Sequence, residues 1–125
     1  MKEKHNKRIF SGIQPSGDMQ LGNYLGAVKG WAAGQKGSTN YFCIVDLHAI
    51  TVKQDPDELR RQTRSLAAML FACGIDPFLS TTFVQSHVSA HAEVAWILNC
   101  VTPVGWLERM TQYKEKSRSA IAAGT

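Results

Sequence analysis

Residues 10–23 read FSGIQPSGDMQLGN, and this stretch decides how the fold begins. A short apolar run breaks into a turn rich in glycine and proline, and a helical pattern of apolar residues follows it. A strand that ends in such a loop presents backbone N–H groups and the positive end of a helix to a ligand above the sheet. Phosphate is the occupant that such a corner favours.

The glycines of this corner are not spaced as in the two commonest phosphate loops. Gly12, Gly17 and Gly22 fall five residues apart, and no Gly-Lys-Ser or Gly-Lys-Thr follows them. The stretch is therefore neither a Walker loop nor a dinucleotide fingerprint. On these residues alone two interpretations stay open: a nucleotide site, or glycines that only turn the corner.

Apolar periodicity along the chain predicts alternating strands and helices. Strands are expected at residues 8–13, 41–45 and 82–85, and helices at residues 22–33, after Asp55 and from Ser89. This βαβαβα order predicts an α/β fold with a parallel sheet and right-handed crossovers. Because ligands of such sheets bind beyond the carboxyl ends of the strands, the three strand exits define the expected site.

Capping residues mark the second predicted helix. Asp55 is the predicted N-cap, Pro56 fits the first helical position, and Glu58 completes a capping box. Gly74 is placed to end the helix. The side chains predicted to point inward are Leu59, Thr63, Leu66 and Leu70.

The helix that begins near Ser89 carries the next apolar stripe. Its members are Val94, Ile97, Leu98 and Val101. Trp31 and Trp96 lie within helical patterns, so packing in a core or an interface is expected rather than stacking on bases. Trp106 follows the break at Pro103 and is a candidate partner surface.

Polar residues follow the second and third strands. Asp46 and His48 lie two positions apart, so either the carboxylate orients the imidazole, or it accepts from backbone N–H groups in the turn. Both interpretations stay open. His87 and His91 have the spacing of helix ligands, but the His-Glu-x-x-His pattern is absent and Ser89 is expected to begin a helix between them. No metal site is predicted.

Composition indicates one ordinary domain, or a piece of a larger one, in 125 residues. The first residues lack the apolar core of a signal peptide, and no apolar run approaches the roughly 18 residues of a membrane span. A cytoplasmic protein with no membrane partner is therefore expected. Cys43, Cys73 and Cys100 are interpreted as small buried hydrophobic residues in a reducing compartment.

The formal net charge of +4 is concentrated at the two ends of the chain. Residues 1–8 carry four basic residues and one acidic residue, and residues 108–118 carry four and two. The first cluster is predicted to be a solvated tail, with contact to RNA phosphate as the alternative. The second cluster is either an exposed helix face or a set of donors beside an aromatic ring.

Three separated segments carry a family resemblance. Residues 10–24 (FSGIQPSGDMQLGNY), 41–51 (YFCIVDLHAIT) and 108–117 (ERMTQYKEKS) closely resemble the amino-terminal half of the bacterial tryptophanyl-tRNA synthetases, a family of class I aminoacyl-tRNA synthetases. The resemblance implies an ATP-dependent ligase. In that reaction the carboxylate of tryptophan attacks the α-phosphate of ATP, and the adenylate then passes the amino acid to tRNA(Trp).

The resemblance also implies roles for individual residues, with residues 20–23 in the place of the class signature His-Ile-Gly-His. The implied ATP-binding residues are Gln14, Pro15, Ser16, Gly22 and Asn23. The residues implied to face tryptophan are Phe10, Gly12, Val45 and His48. Gln14, Asn23 and Lys116 are implied to be catalytic. ATP is expected to enter as its Mg²⁺ complex, and no prosthetic group is expected.

The family architecture implies three parts: a basic tail at residues 1–8, the first half of a Rossmann-like domain at 9–88, and a truncated helical connecting insertion at 89–125. A homodimer is expected, with much of the contact from about Ser89 onward. The family's Lys-Met-Ser-Lys-Ser-like loop and anticodon-binding domain fall after Thr125. Little or no aminoacylation by this polypeptide alone is therefore expected.

Two other function classes stay open. The chain could be a stand-alone module that holds ATP weakly. It could also be a non-catalytic fragment that binds RNA or protein through its basic ends and the surface around Trp106. Separate titrations with ATP, tryptophan and RNA distinguish the three.

Overall fold

The computed structural model describes residues 7–17 and 19–122. The chain divides into two compact units, Met1–Ser89 and Ala90–Thr125, called unit 1 and unit 2 below. Of the predicted basic tail, residues 1–6 lie outside the described residues, whereas Lys7 and Arg8 already belong to the first strand. Among the described residues, no helix has both the length and the apolar character needed to cross a membrane.

Unit 1 alternates strands and helices in the predicted order. Its strands are β1 (Lys7–Ile13), β2 (Ser38–Ile44) and β3 (Ser80–Val84). Its helical segments are α1 (Leu21–Asn23), a π-helical segment (Tyr24–Val28), α2 (Lys29–Ala33), α3 (Asp46–Ala49), α4 (Pro56–Ala72) and a 3₁₀ turn (Gln85–His87). The strands are parallel in the order β1-β2-β3, which confirms the predicted α/β fold with a parallel sheet.

The later strands begin earlier than their apolar runs predict. β2 begins three residues sooner, at Ser38, and β3 begins two residues sooner, at Ser80. Pairing with the neighbouring strand explains both differences, since Ser38 lies opposite Lys7 and Ser80 lies opposite Asn40. Backbone hydrogen bonds extend a strand into polar sequence that periodicity alone assigns to a loop.

The core lies on one face of the sheet. Six buried apolar residues form it: Val28, Phe42, Ile44, Leu66, Leu70 and Ile75. Both helical stretches therefore pack against the same face of β2. This follows from the strand order, because right-handed crossovers between strands laid down in chain order place successive helices on one side. Trp31 adds to the core by stacking on Phe42, with ring centroids 4.9 Å apart.

The start of α4 confirms part of the predicted cap. Asp55 Oδ1 accepts from the backbone N–H groups of Asp57 and Glu58, both at 2.9 Å, and Pro56 opens the helix. The capping box is not formed, since the Glu58 carboxylate accepts from the side chains of Arg61 and Gln62 instead. A guanidinium one turn along the helix offers that carboxylate stronger, charge-assisted hydrogen bonds.

The inward face and the end of α4 follow the prediction closely. Leu66 and Leu70 are buried, whereas Leu59 and Thr63, nearer the start of the helix, are only half-buried. Gly74 has φ +99°, in the region that favours glycine, and follows the last helical turn. Gly74 thus ends the helix as predicted.

A buried amide joins the connections between strands and helices. The Gln35 side chain donates to the carbonyls of Ala32 and Gly74 and accepts from the Asp76 N–H and the Ser80 hydroxyl, at 2.7 to 3.0 Å. Its side chain is 5% exposed. Four hydrogen bonds satisfy this amide, so its burial carries little penalty and ties α2, α4 and β3 together.

Unit 2 contains the rest of α5 (Ser89–Val101), with α6 (Val104–Leu107) and α7 (Thr111–Ala122). None of its described residues is buried. The predicted stripe on α5 is 52 to 69% exposed, and Trp96 is 71% exposed, so these residues are not part of the core. Their packing in an interface stays a prediction. The interpretation of Cys100 as buried is wrong, since it is exposed. An amphipathic pattern buries its apolar side only where a partner surface is supplied.

Candidate functional site

The first strand exit forms a tight corner. β1 ends at Ile13, the Ser16 N–H donates to the Gln14 carbonyl at 3.0 Å, and Gly17 adopts φ +75°. Pro15 is buried within this turn. The positive φ explains the glycine at position 17, because a side chain there would be strained. Gln14 and Ser16 are exposed at this corner, on either side of the buried proline.

Three of the predicted ATP-binding residues line one hollow. Gln14, Ser16 and Asn23 surround a space of about 100 Å³, together with Gly17 and the apolar side chains of Ile13, Met19 and Leu66. Gly22 lies at the adjoining helix start, where an added Cβ would meet no heavy atom within 4 Å. A ligand can therefore approach the backbone at Gly22, whereas Pro15 is buried and packs inside the turn.

Asn23 and Gln20 cap the start of α1 through a reciprocal pair of hydrogen bonds. The Asn23 Oδ1 atom accepts from the Gln20 N–H at 3.2 Å, and the Gln20 side chain accepts from the Asn23 N–H. With its oxygen occupied in this way, the Asn23 amide presents its NH₂ group as a donor. The resemblance implied that Asn23 binds ATP, but the sequence did not predict the capping box that orients its amide.

A π-helical segment follows directly, at Tyr24–Val28. A π-segment inserts an extra residue into the helical turn and is found most often beside functional sites. Here it begins at the residue after Asn23, within the helix that leaves the corner. Sequence periodicity did not predict it, because a single widened turn shifts the apolar pattern by only one position.

The two implied tryptophan-facing residues of β1 lie on the sheet face opposite the core. Phe10 and Gly12 alternate with the inward residues of β1, and Phe10 is 65% exposed. Its ring centroid is 6.4 Å from that of Phe83 on β3. A Cβ on Gly12 would lie 2.9 Å from Val45 Cγ1. The missing side chain at Gly12 thus lets Val45 pack beside the strand.

The second strand exit decides between the two interpretations of Asp46. Its Oδ1 atom accepts from the N–H groups of Leu47 and Ser86, each at 3.0 Å. His48 Nδ1 lies 3.0 Å from Gln85 Oε1 instead. Asp46 therefore holds two strand exits together, and Gln85 is the residue that positions the imidazole. Sequence reasoning missed Gln85, although its place at the third strand exit was a usable signal.

The two histidines after the third strand lie on different elements. His87 lies in the 3₁₀ turn, and His91 lies in α5 beyond its start at Ser89. They therefore do not share one helix face.

Burial raises the pKa of the Cys43 thiol, and the nearby Asp46 carboxylate raises it further. Cys43 is thus a protonated, buried thiol rather than a nucleophile.

Lys116 lies on α7 in unit 2. It lines a hollow of about 430 Å³ with Met110 and Tyr113. The lysine thus stands beside an aromatic ring, in the second basic cluster of the sequence.

Comparison with known proteins places these features in a family. Residues 1–124 match the family described as tRNA synthetases class I (W and Y). A tryptophan–tRNA ligase of Thermosynechococcus vestitus is 62% identical over 109 residues, covering 87% of this chain and 33% of the relative. The chain thus spans about a third of the length of that curated relative.

Solved structures agree with this match. A crystal structure of tryptophanyl-tRNA synthetase from Campylobacter jejuni has a TM-score of 0.82 and 40% identity, and covers 90% of this chain and 35% of that one. A second crystal structure of that enzyme, complexed with ADP and tryptophan, gives the same TM-score, identity and coverage.

Proposed function

Because the chain belongs to the class I tRNA synthetases of the tryptophan and tyrosine type, we propose that it forms the first part of the ATP site of a tryptophan–tRNA ligase. The family resemblance inferred from the three segments is confirmed by these matches. The observation that carries the proposal is the common hollow lined by Gln14, Ser16 and Asn23 at the first strand exit. The complete reaction is ATP-dependent activation of tryptophan and its transfer to tRNA(Trp).

The corner supplies the donors that the activation step needs. Gln14 and Ser16 would donate to phosphate oxygens as charge develops on them, from a turn that is already in place. Asn23, oriented by Gln20, would add a donor at the helix entry, and the open backbone at Gly22 would admit the adenine ring. Catalysis by such a site comes from positioning two reactants rather than from a covalent intermediate.

The remaining implied residues complete the proposal. Lys116 would bring a positive charge to the triphosphate, which is a role suited to a flexible ammonium group. Mg²⁺ would enter as part of the ATP complex, held by the phosphates. The four residues proposed to face the indole are Phe10, Gly12, Val45 and His48. The first two lie on the face of β1 opposite the core, and the other two follow β2. In this proposal the protein works in the cytoplasm.

Isothermal titration with ATP tests the site. The expected result is binding that Gln14→Ala and Asn23→Ala weaken about tenfold each, in line with the loss of one charge-assisted hydrogen bond. Asn99→Ala, on an exposed asparagine of α5, is the matched control and should leave binding unchanged. Asn23→His keeps an N–H donor and should restore most of the affinity. Equal binding by all variants would place ATP elsewhere.

ATP–pyrophosphate exchange tests the completeness of the activity. The chain spans about a third of its curated relative, so tryptophan-dependent exchange by this chain alone is expected to be negligible beside that of a full-length relative. Exchange near the full-length rate would contradict this expectation. Heat on titration with ATP but not with tryptophan would favour the stand-alone ATP module, and heat only with RNA would favour the RNA-binding fragment.

We further propose that the stripe on α5 is a homodimer contact. Val94, Ile97, Leu98 and Val101 are all more than half exposed along one helix. Such a continuous apolar strip is typical of a protein interface. Sedimentation velocity is expected to show a dimer that Ile97→Asp dissociates, whereas Ile121→Asp, on a more exposed isoleucine of α7, leaves it intact. Equal effects of both variants would indicate unspecific association.

A further inference from the structure

A second, larger hollow lies in unit 1, between α4 and the turn that follows β3. Its volume is about 430 Å³, within the range of small-molecule sites. It shares no lining residue with the hollow formed by Gln14, Ser16 and Asn23. We call it the α4 hollow. The roles proposed above for the ATP and tryptophan residues leave it unused.

The α4 hollow combines apolar walls with several hydrogen-bond donors. Leu59 and Ala67 of α4 and Val84 of β3 supply the apolar surface. Arg60 and Arg64 also line it. Because they are four residues apart, they lie on the same face of α4, about one helical turn from each other. An occupant would therefore have one face against aliphatic side chains and another against two guanidinium groups.

Donors also come from the opposite side of the hollow. Ser86 and His87, from the turn after β3, line it there, and the Thr63 hydroxyl adds a donor on α4. Two guanidinium groups, two hydroxyls and an imidazole are more donors than one carboxylate can use. A phosphate group, with three terminal oxygens, can accept from most of them at once.

The acidic groups around the α4 hollow are already engaged. Asp57 accepts from Arg60 at 3.0 Å, and Asp46, which lines the hollow, accepts from the Ser86 and Leu47 N–H groups. Within residues 7–17 and 19–122 no carboxylate forms a salt bridge with Arg64. Arg64 therefore gives the hollow a positive charge that no salt bridge neutralises among the described residues.

We propose that the α4 hollow binds a small phosphate monoester with an apolar body. The guanidinium groups of Arg60 and Arg64 hold the phosphate, and Leu59, Ala67 and Val84 hold the apolar body. The N-terminus of α4 is not the source of this preference, because Asp55 accepts its first N–H groups. The site is separate from the proposed ATP corner and does not depend on it.

Two-dimensional NMR of the full 125-residue chain, titrated with phenyl phosphate, tests the proposal. Saturable shifts are expected for the backbone amides of Ser86 and His87. Arg64→Gln should weaken the affinity about tenfold, because it removes a charge-assisted hydrogen bond. Arg61→Gln is the matched control, since Arg61 is on the same helix but binds Glu58 and does not line the hollow.

Two further ligands make the test specific. Inorganic phosphate, without an apolar body, and phenylacetate, without a phosphate, should each bind at least about tenfold more weakly than phenyl phosphate. Equal binding of phenylacetate, equal effects of the two arginine variants, or no shift near Ser86 would overturn the proposal. Thermal unfolding monitors the fold, and an Arg64→Gln variant that melts like the unmodified chain but binds phenyl phosphate normally also contradicts the proposal. ATP titrated separately reports on the Gln14 corner, so the two proposals can fail independently.

Discussion

Helices α4 and α5 carry similar apolar stripes but differ in what those stripes contact. On α4, Leu66 and Leu70 are 5% and 0% exposed and pack against Phe42 and Ile44. On α5, the four residues of the stripe are all more than half exposed. The comparison teaches that periodicity identifies which side of a helix is apolar, whereas a second surface decides whether that side is buried.

The largest expected effect comes from truncating one leucine in each helix. Leu70→Ala should lower the free energy of unfolding by about 3 kcal/mol, because it removes buried methyl groups and leaves a cavity. Leu98→Ala, at protein concentrations low enough for a monomer, should change it by less than about 0.5 kcal/mol. Urea unfolding followed by circular dichroism measures both. Similar losses in the two variants would mean that α5 is packed in solution.

The next prediction compares the loss of stability when a buried glutamine and an exposed glutamine are each replaced by leucine. Gln35→Leu should lower the free energy of unfolding by about 2 kcal/mol, because the Asp76 N–H and the Ser80 hydroxyl lose their acceptor. Gln112→Leu, on an exposed residue of α7, is the control and should have little effect. Chemical denaturation of both variants checks this, and a Gln35 variant as stable as the control would contradict the hydrogen-bond network.

A smaller effect tests how tightly each unit is packed. Gly12→Ala should cost about 1 to 2 kcal/mol, since the new Cβ meets Val45 Cγ1 at 2.9 Å. Gly105→Ala in unit 2 has no heavy atom within 4 Å and should be neutral or slightly stabilising. In a double-mutant cycle, Val45→Ala should relieve part of the cost at position 12. Strictly additive losses would show that the close contact does not matter.

The smallest effect concerns the exposed first turns of α4. Hydrogen bonds from Arg61 and Gln62 lower the pKa of Glu58 below its ordinary 4.5. A lowered folded-state pKa stabilises the protein above about pH 4.5, and this contribution is lost as the pH falls through the folded-state value. Glu58→Gln should therefore lower the melting temperature slightly near pH 6 and match the unmodified chain near pH 3. Arg61→Gln should reproduce the loss, and a difference that grew in acid would contradict this account.

The candidate site was predictable in part, and the limits have physical causes. The corner at residues 10–23 and the polar residues after β2 were identified from glycine, proline and apolar spacing, because these depend on neighbours in the chain. The Asp46 contact to Ser86 spans 40 residues and decided an alternative that local spacing had left open. Gln85 beside His48 was missed for the same reason. The π-helical segment after Asn23 was missed because one widened turn shifts the apolar pattern by only one position.

By itself, the sequence determined the order of elements, the apolar side of α4, the N-cap at Asp55 and the end at Gly74, since each depends on residues within one or two turns. Only the tertiary structure decided the strand limits, the hydrogen bonds of Gln35, the partners of Asp46 and His48, and which apolar stripe is buried. Those features join residues far apart in the chain. The stability of these contacts depends on how the strands and helices pack together, and the local spacing of apolar residues does not indicate this packing.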